Sequence, residues 1–192
     1  MGETMKKDAA AGLSPGRTVL HHLAVVMPDS KTHLIFWSLM AGGLTLDLWT
    51  KKLAFERLES HEVLPVVDGF VQFVRALNNG AAFGWFAGKS YMLSAVSLVA
   101  LGAILVVFLF GGSKQRLVHV ALGFFAAGVC GNMYDRMFNN GYVRDFIDVY
   151  YRGYHWHTFN IADTLLCIGV GLLIISTLIT ERPARTHDQQ RK

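Results

Sequence analysis

The chain has 192 residues, 52% of them apolar, a net charge of +4 and two cysteines. That length permits one domain, and the apolar share together with a positive mean hydropathy shifts the class from soluble to membrane protein. A disulfide framework is excluded because Cys130 and Cys167 both fall in apolar stretches, where a thiolate nucleophile also lacks an electropositive setting; both read as packing residues. No soluble segment carries a basic stripe with interleaved aromatics, so the positive charge is assigned to anionic lipid headgroups beside the membrane and not to nucleic acid.

Residues 1–32 contain Met5-Lys6-Lys7 followed by Ala, Gly, Ser and Pro without an apolar h-region. They are expected to be a polar cytoplasmic extension and not a cleavable signal peptide. A first apolar helix is expected over about residues 33–55, interrupted by Asp47 and Lys51. Four apart, these two share a face and can pair near the helix's outer end. Two readings stand: an ion pair that lets the helix end at the interface, or part of a site.

The external segment 56–90 is too long for a bare connector. Its stretch Val63–Leu77, VLPVVDGFVQFVRAL, is β-branched, aromatic and partly alternating, which predicts short strands in a small sheet on the outer membrane surface. After it, Asn78-Asn79-Gly80-Ala81-Ala82-Phe83-Gly84 combines small residues that let backbone approach a ligand with amides that bind carbonyls, although the same run also suits a turn.

From Tyr91 to Phe110 there is no charge at all. As a helix this run spans a hydrocarbon core of about 30 Å. A third helix is expected over 117–138 with Asn132, Asp135 and Arg136 at its outer end. There Arg136 complements the helix dipole, and its planar fork can hold a carboxylate through two hydrogen bonds. Asp135 points about 100° away from it on an ideal helix and is the weakest candidate of the group.

Residues 139–159 form a second external segment with Tyr142, Phe146, Tyr150, Tyr151, Tyr154, Trp156 and Phe159. This density suits an aromatic-rich interfacial loop, read either as a headgroup belt or as a lid over a site. His155 and His157, two apart and without a third ligand nearby, read as interfacial polar residues and not as a metal site.

The fourth helix, 160–180, opens with Asn160 and Asp163. An N-cap role accounts for both. Their company argues for more, since Asp145 precedes this helix by one loop and Arg136 lies across it. Two carboxylates converging there share one proton, because like charges at close range do not both ionise cheaply. Such a pair activates water without a Ser or Cys nucleophile, a metal or a cofactor.

The expected class is therefore an all-α membrane protein of four transmembrane helices with a small extracytoplasmic β-sheet. Residues 33–180 form its membrane domain and 181–192 a cytoplasmic tail. An even number of crossings puts both termini on one side, and the Lys/Arg distribution favours the cytoplasm.

Five blocks in order, Asp47-Leu-Trp-Thr-Lys51, Asn78-Asn-Gly-Ala-Ala-Phe83, Gly131-Asn132-Met-Tyr-Asp135-Arg136, Gly141-Tyr-Val-Arg-Asp145-Phe146 and Phe159-Asn160-Ile-Ala-Asp163, resemble the lipoprotein signal peptidases of bacterial inner membranes. The resemblance covers about Leu44 to Ile175. It implies a membrane aspartic peptidase at the outer leaflet that removes the signal peptide from diacylglyceryl-modified prolipoproteins; a complete pair within one chain points to a functional monomer. It also implies that Asp145 and Asp163 are the catalytic pair, that Asn132, Arg136 and Asn160 position substrate or pair, and that Asp47, Lys51, Asn78, Gly80 and Phe83 support the site.

The chain departs from the family pattern at Arg144, at Thr164 and in its longer N-terminal extension. Arg144 is expected to lower the pKa of the adjacent Asp145. Two other classes compete with the peptidase: a small proton-coupled transporter, whose relay carboxylates belong near the bilayer midplane, and a structural subunit whose polar residues only fix helix packing.

Overall fold

The computed structural model describes residues 27–80, 85–113 and 115–180. Residues 1–26, Phe83 with its neighbours, and the tail from residue 181 lie outside them. The first helix, α1 (Ser30–Arg57), begins earlier than its apolar pattern because Asp29, in extended conformation, accepts a hydrogen bond from the Thr32 N–H at 2.8 Å. That bond also holds the Asp29 carboxyl below its usual pKa. The buried residues Phe36, Gly43, Asp47, Lys51 and Ala54 recur at helical spacing, so one face of α1 is turned inward.

Three further helices follow, α2 (Ser90–Phe110), α3 (Arg116–Phe138) and α4 (Ile161–Thr180). Among the described residues these three are long and apolar enough to cross a membrane. Although α1 is the longest, it carries Lys31, Asp47, Lys51, Lys52 and Glu56 and falls short of that apolar density. The centre is α3: 61% of its apolar stretch is buried, against 17% for α2 and 22% for α4.

Small residues make this packing close, as association between helices in lipid requires. A Cβ on Gly128 would lie 2.5 Å from the Ala162 carbonyl oxygen and 2.7 Å from Leu166 Cγ, and one on Gly131 would strike the Asp47 carboxylate. Away from the sheet, the core is built by Phe36 stacked on Phe108 with centroids 3.9 Å apart, packed by Ile104, Leu122, Ala126 and Val129.

The sheet contains β1 (Leu64–Val67), β2 (Val71–Asn78), β3 (Val143–Tyr151) and β4 (Tyr154–His155), antiparallel in the order β1-β2-β3-β4. Only two strands come from the first external segment. The second, expected as an aromatic-rich loop, instead supplies β3 and β4. Its aromatics alternate with β-branched and polar residues along a strand, and Arg152 and Gly153, at φ 51° and 83°, form the left-handed pair that a two-residue hairpin demands.

Between Phe73 and Ala76 the chain of β2 gains one residue on β3, a bulge that leaves Ala76 opposite Asp145 and Asn78 opposite Val143. The sheet is fastened to α1 by Arg75, whose guanidinium donates to the Leu58 carbonyl at 3.2 Å and covers the Phe55 ring. Phe146 packs on Ala54 and Leu58. In this way β3 carries Asp145 over the ends of α3 and α4.

The α3–α4 contact is testable through its glycines. Gly128→Ala forces the new methyl against backbone and should destabilise by about 1–3 kcal/mol. Gly42→Ala, on α1 with open space around its Cβ position, should be neutral or stabilising by up to about 1 kcal/mol. Thermal melting of both variants in detergent checks the contrast.

Candidate active site

The first turn of α4 is closed reciprocally: the Asp163 N–H donates to Asn160 Oδ1 at 3.0 Å and the Asn160 N–H to Asp163 Oδ2 at 3.2 Å. This is the capping-box arrangement with Asp at the third helical position. Capping therefore does occur, and it aims the second Asp163 oxygen at α3, where Asn132 Nδ2 donates to Asp163 Oδ1 at 2.7 Å.

Asn160 is wholly buried and extends its amide to β3, donating to Asp145 Oδ1 at 2.6 Å and to Asn132 Oδ1 at 3.1 Å. Asn78 completes the set by donating to Asp145 Oδ2 at 3.0 Å while its own oxygen accepts the Gly80 N–H at 2.9 Å. Asp145 and Asp163 are thus joined through two asparagines, and each asparagine has its amide direction fixed by what it touches.

The direction of Asn132 is set by Lys51. An ammonium has no acceptor, so Asn132 must present its oxygen to Lys51 Nζ, 3.2 Å away, and its NH2 to Asp163. Lys51 is fully buried and is held by Asp47 at 2.8 Å and Asp135 at 3.5 Å. Asp47 in turn accepts the Ala162 N–H at 2.8 Å, tying α1 to the second residue of α4. Of the Asp47–Lys51 pair, the ion pair itself is present, and its ammonium donates to the Asn132 amide oxygen.

Two expectations about arginine are corrected. Among the described residues the fork of Arg136 grips no carboxylate; Nη1 donates to the Asn132 carbonyl at 3.3 Å and Nη2 to the Gly80 carbonyl at 3.0 Å, bracing the chain that leaves β2. The carboxylate clamp is made instead by Arg144, through Nη2 at 2.6 Å and Nε at 3.2 Å to Asp135 Oδ1, with its backbone N–H at 2.9 Å to Oδ2. Arg144 therefore neutralises Asp135 and turns away from its neighbour.

Asp145, only 2% exposed, consequently has its pKa raised and not lowered, to about 6. Burial is the main cause and the charge of Asp163 the second; the Asn78 and Asn160 hydrogen bonds and the Lys51 charge oppose them.

A cleft of about 500 Å³ opens over the two carboxylates, floored by Asn132, Asp145 and Asp163 and walled by Trp156, His157 and Thr158. Its remaining lining is mostly apolar and includes Val143, Leu166 and Cys167. The larger cavity, about 840 Å³, lies between α2 and α3; it shares Arg136 with the cleft but, among the described residues, has no carboxylate in its lining. His155 and His157 diverge, with Nδ1 of the first 2.8 Å from Asp148 and Nδ1 of the second 2.9 Å from the Thr158 carbonyl. Of the residues singled out in the sequence, all except Phe83, which lies outside the described residues, gather around this cleft or its support. The Arg144–Asp135 clamp was not foreseen, whereas the wall 156–158 lies in the segment for which a lid over a site was one of the two readings. An acid inside the apolar strand FIDVY was a legible sign that Asp148 is buried.

Two outcomes follow. An Asp145 held near pKa 6 keeps a proton in the folded state that the unfolded chain, at the ordinary 3.8, has lost. Stability is thus highest at low pH and falls as pH rises through about 6, by about 3 kcal/mol for a shift of this size. Comparing melting temperatures near pH 4 and pH 7 should show this slope, and Asp145→Asn should flatten it. Lys51→Met strands Asp47 and Asp135 beside each other in the core and should cost about 3–5 kcal/mol, read from the same melts.

Comparison with known proteins places the chain in a family. Residues 39–179 match the model of the signal peptidase (SPase) II family. The chain is 40% identical over 154 residues to a lipoprotein signal peptidase of Geobacter sulfurreducens, covering 79% of this chain and 96% of the relative. It is 38% identical to that of Geobacter metallireducens, covering 77% and 93%. A bacterial membrane enzyme solved by the in meso method at 2.3 Å superposes with a TM-score of 0.70 at 29% identity, covering 84% of this chain and 93% of that one. A second, at 1.9 Å, gives 0.67 at 32% identity over 77% and 92%. The chain belongs to the signal peptidase II family, the aspartic peptidases of family A8.

Proposed function

We propose that Asp145 and Asp163 are the catalytic dyad by which this enzyme cleaves the signal peptide from prolipoproteins, attacking the scissile bond with a water held between them. The observation that carries this reading is the shared asparagine bridge: Asn160 touches both carboxylates, and Asn132 links Asn160 to Asp163. With the pair's single proton on Asp145, Asp163 takes a proton from water as its oxygen bonds to the carbonyl carbon, and Asp145 donates to the carbonyl oxygen. Collapse of the tetrahedral intermediate breaks the C–N bond: the proton taken by Asp163 passes to the leaving amine, and one hydroxyl of the intermediate returns its proton to Asp145 as the C=O re-forms.

The substrate we assign is a precursor carrying a diacylglyceryl group on the cysteine at the cleavage point. An apolar lining continues from the dyad along Leu166 and Cys167 of α4, where acyl chains can remain in a hydrocarbon setting. We read α1 as a fourth membrane crossing: its 28 residues span about 42 Å, and its charges Asp47 and Lys51 are buried against α3 and α4 and not turned to lipid. Four crossings with the Lys/Arg bias leave both termini cytoplasmic and the sheet and dyad at the outer leaflet. Asn78, Gly80, Asn132, Arg136 and Asn160 then hold pair and substrate, Asp47 and Lys51 orient them, and one chain suffices as a functional monomer.

Asp145→Asn and Asp163→Asn, purified in detergent, should each lower cleavage of a lipidated precursor by at least about 10³-fold, in the range general acid–base groups supply, while still melting cooperatively. Retained activity in either variant contradicts the dyad.

A further inference from the structure

Outside the dyad, one more carboxylate is buried on β3. Asp148 is 5% exposed and sits opposite Gln72 on β2. Its Oδ2 accepts from Gln72 Nε2 at 2.7 Å and lies 2.8 Å from His155 Nδ1 on β4, so a carboxylate there fixes the imidazole tautomer with the proton on Nδ1. The His155 ring stacks on Tyr150 with centroids 5.5 Å apart and an interplanar angle of 15°. One side chain therefore clasps three consecutive strands, although β4 is only two residues long and an edge of that length has little pairing of its own.

What β4 leads into is the wall of the cleft. Residues 156–158 follow His155 directly, and all three line both the cleft over the dyad and another cavity of about 380 Å³ that also includes Asn78 and Asp145. The backbone of this wall is pinned at its ends, by Trp156 N–H to the Val149 carbonyl at 2.8 Å and by Phe159 N–H to the Ile147 carbonyl at 3.0 Å. Just outside its first pin sits the Asp148–His155 pair.

The geometry points to Asp148 and His155 as a positioning pair for substrate: by clasping β4 to β3 they hold the wall 156–158 at the distance from Asp145 that an extended peptide needs. Neither residue touches the reacting atoms. Their effect is on how well the cleft is preformed, which acts on binding and leaves the chemical step alone. This inference rests on the dyad reading above.

The test is steady-state cleavage of a diacylglyceryl-modified precursor peptide by the full-length detergent-solubilised enzyme. His155 is half exposed, so His155→Ala should fold. It should raise KM about ten-fold, as the loss of one hydrogen bond to a charged group allows, with kcat within about two-fold. His155→Asn, whose amide N–H can replace Nδ1–H, should bring KM back to within about three-fold, and Asp148→Asn should behave like His155→Ala. An unchanged KM in His155→Ala, a fall in kcat at constant KM, a His155→Asn variant as impaired as His155→Ala, or loss of cooperative melting overturns the proposal. Asp145→Asn assayed alongside separates the two readings: activity retained there removes the dyad, whereas an inactive Asp145→Asn beside an unaffected His155→Ala removes only the clasp.

Discussion

Two carboxyls linked through asparagines at the end of a helix bundle are the constraint around which this protein is arranged. Asp145 and Asp163 are brought together by two buried amides, and the amides work only in one orientation. That orientation traces back to a single buried ammonium, Lys51, which accepts nothing and so forces the Asn132 oxygen toward itself. A buried charge of this kind costs several kcal/mol unless paired, and Asp47 and Asp135 are the partners it has. Arg144 then closes the chain of charges by neutralising Asp135 from the sheet side. The polar network is satisfied nearly throughout, which is the condition under which a buried network gives a unique geometry and does not loosen one.

The fold supplies that network from four separate pieces of chain. α1 brings the ammonium, α3 the bridging Asn132, α4 its capped first turn, and β3 the remaining acid. Glycines at 128 and 131 let α3 approach α4 and α1 closely enough for side chains as short as Asn and Asp to meet. The bulge in β2 sets Ala76 opposite Asp145 and leaves Asn78 able to reach its carboxylate. Family membership in signal peptidase II displaces the transporter and structural-subunit readings that the polar residues alone left open.

Much of this was legible in the residues. Acids and amides at the ends of apolar runs stand out because hydrocarbon makes them expensive, so Asn132, Asp145, Asn160 and Asp163 could be singled out before any coordinates. The four helices declared themselves as long apolar runs. Less legible was where each charge goes once the chain folds. Arg144 is adjacent to Asp145 in sequence, yet neighbouring residues of a strand point to opposite faces, and the guanidinium reaches Asp135 nine positions back. Arg136 had the right fork for a carboxylate and took two carbonyls, because the chain after β2 passes within its reach. The aromatic segment concealed a strand because its rings fit an interfacial loop equally well, and only the Arg152-Gly153 pair marked the hairpin.

The central claim is that the pair carries one proton between two carboxyls at mildly acidic pH, up to about 6. The direct measurement is infrared difference spectroscopy on ¹³C-aspartate-labelled protein, wild type against Asp145→Asn, titrated across the range in which Asp145 ionises. With its pKa pushed to about 6, a protonated-carboxyl C=O band should be present at about pH 5, fade by about pH 7, and be missing from the variant. A wild-type spectrum in which no carboxyl dependent on Asp145 is protonated at about pH 5 would contradict the account.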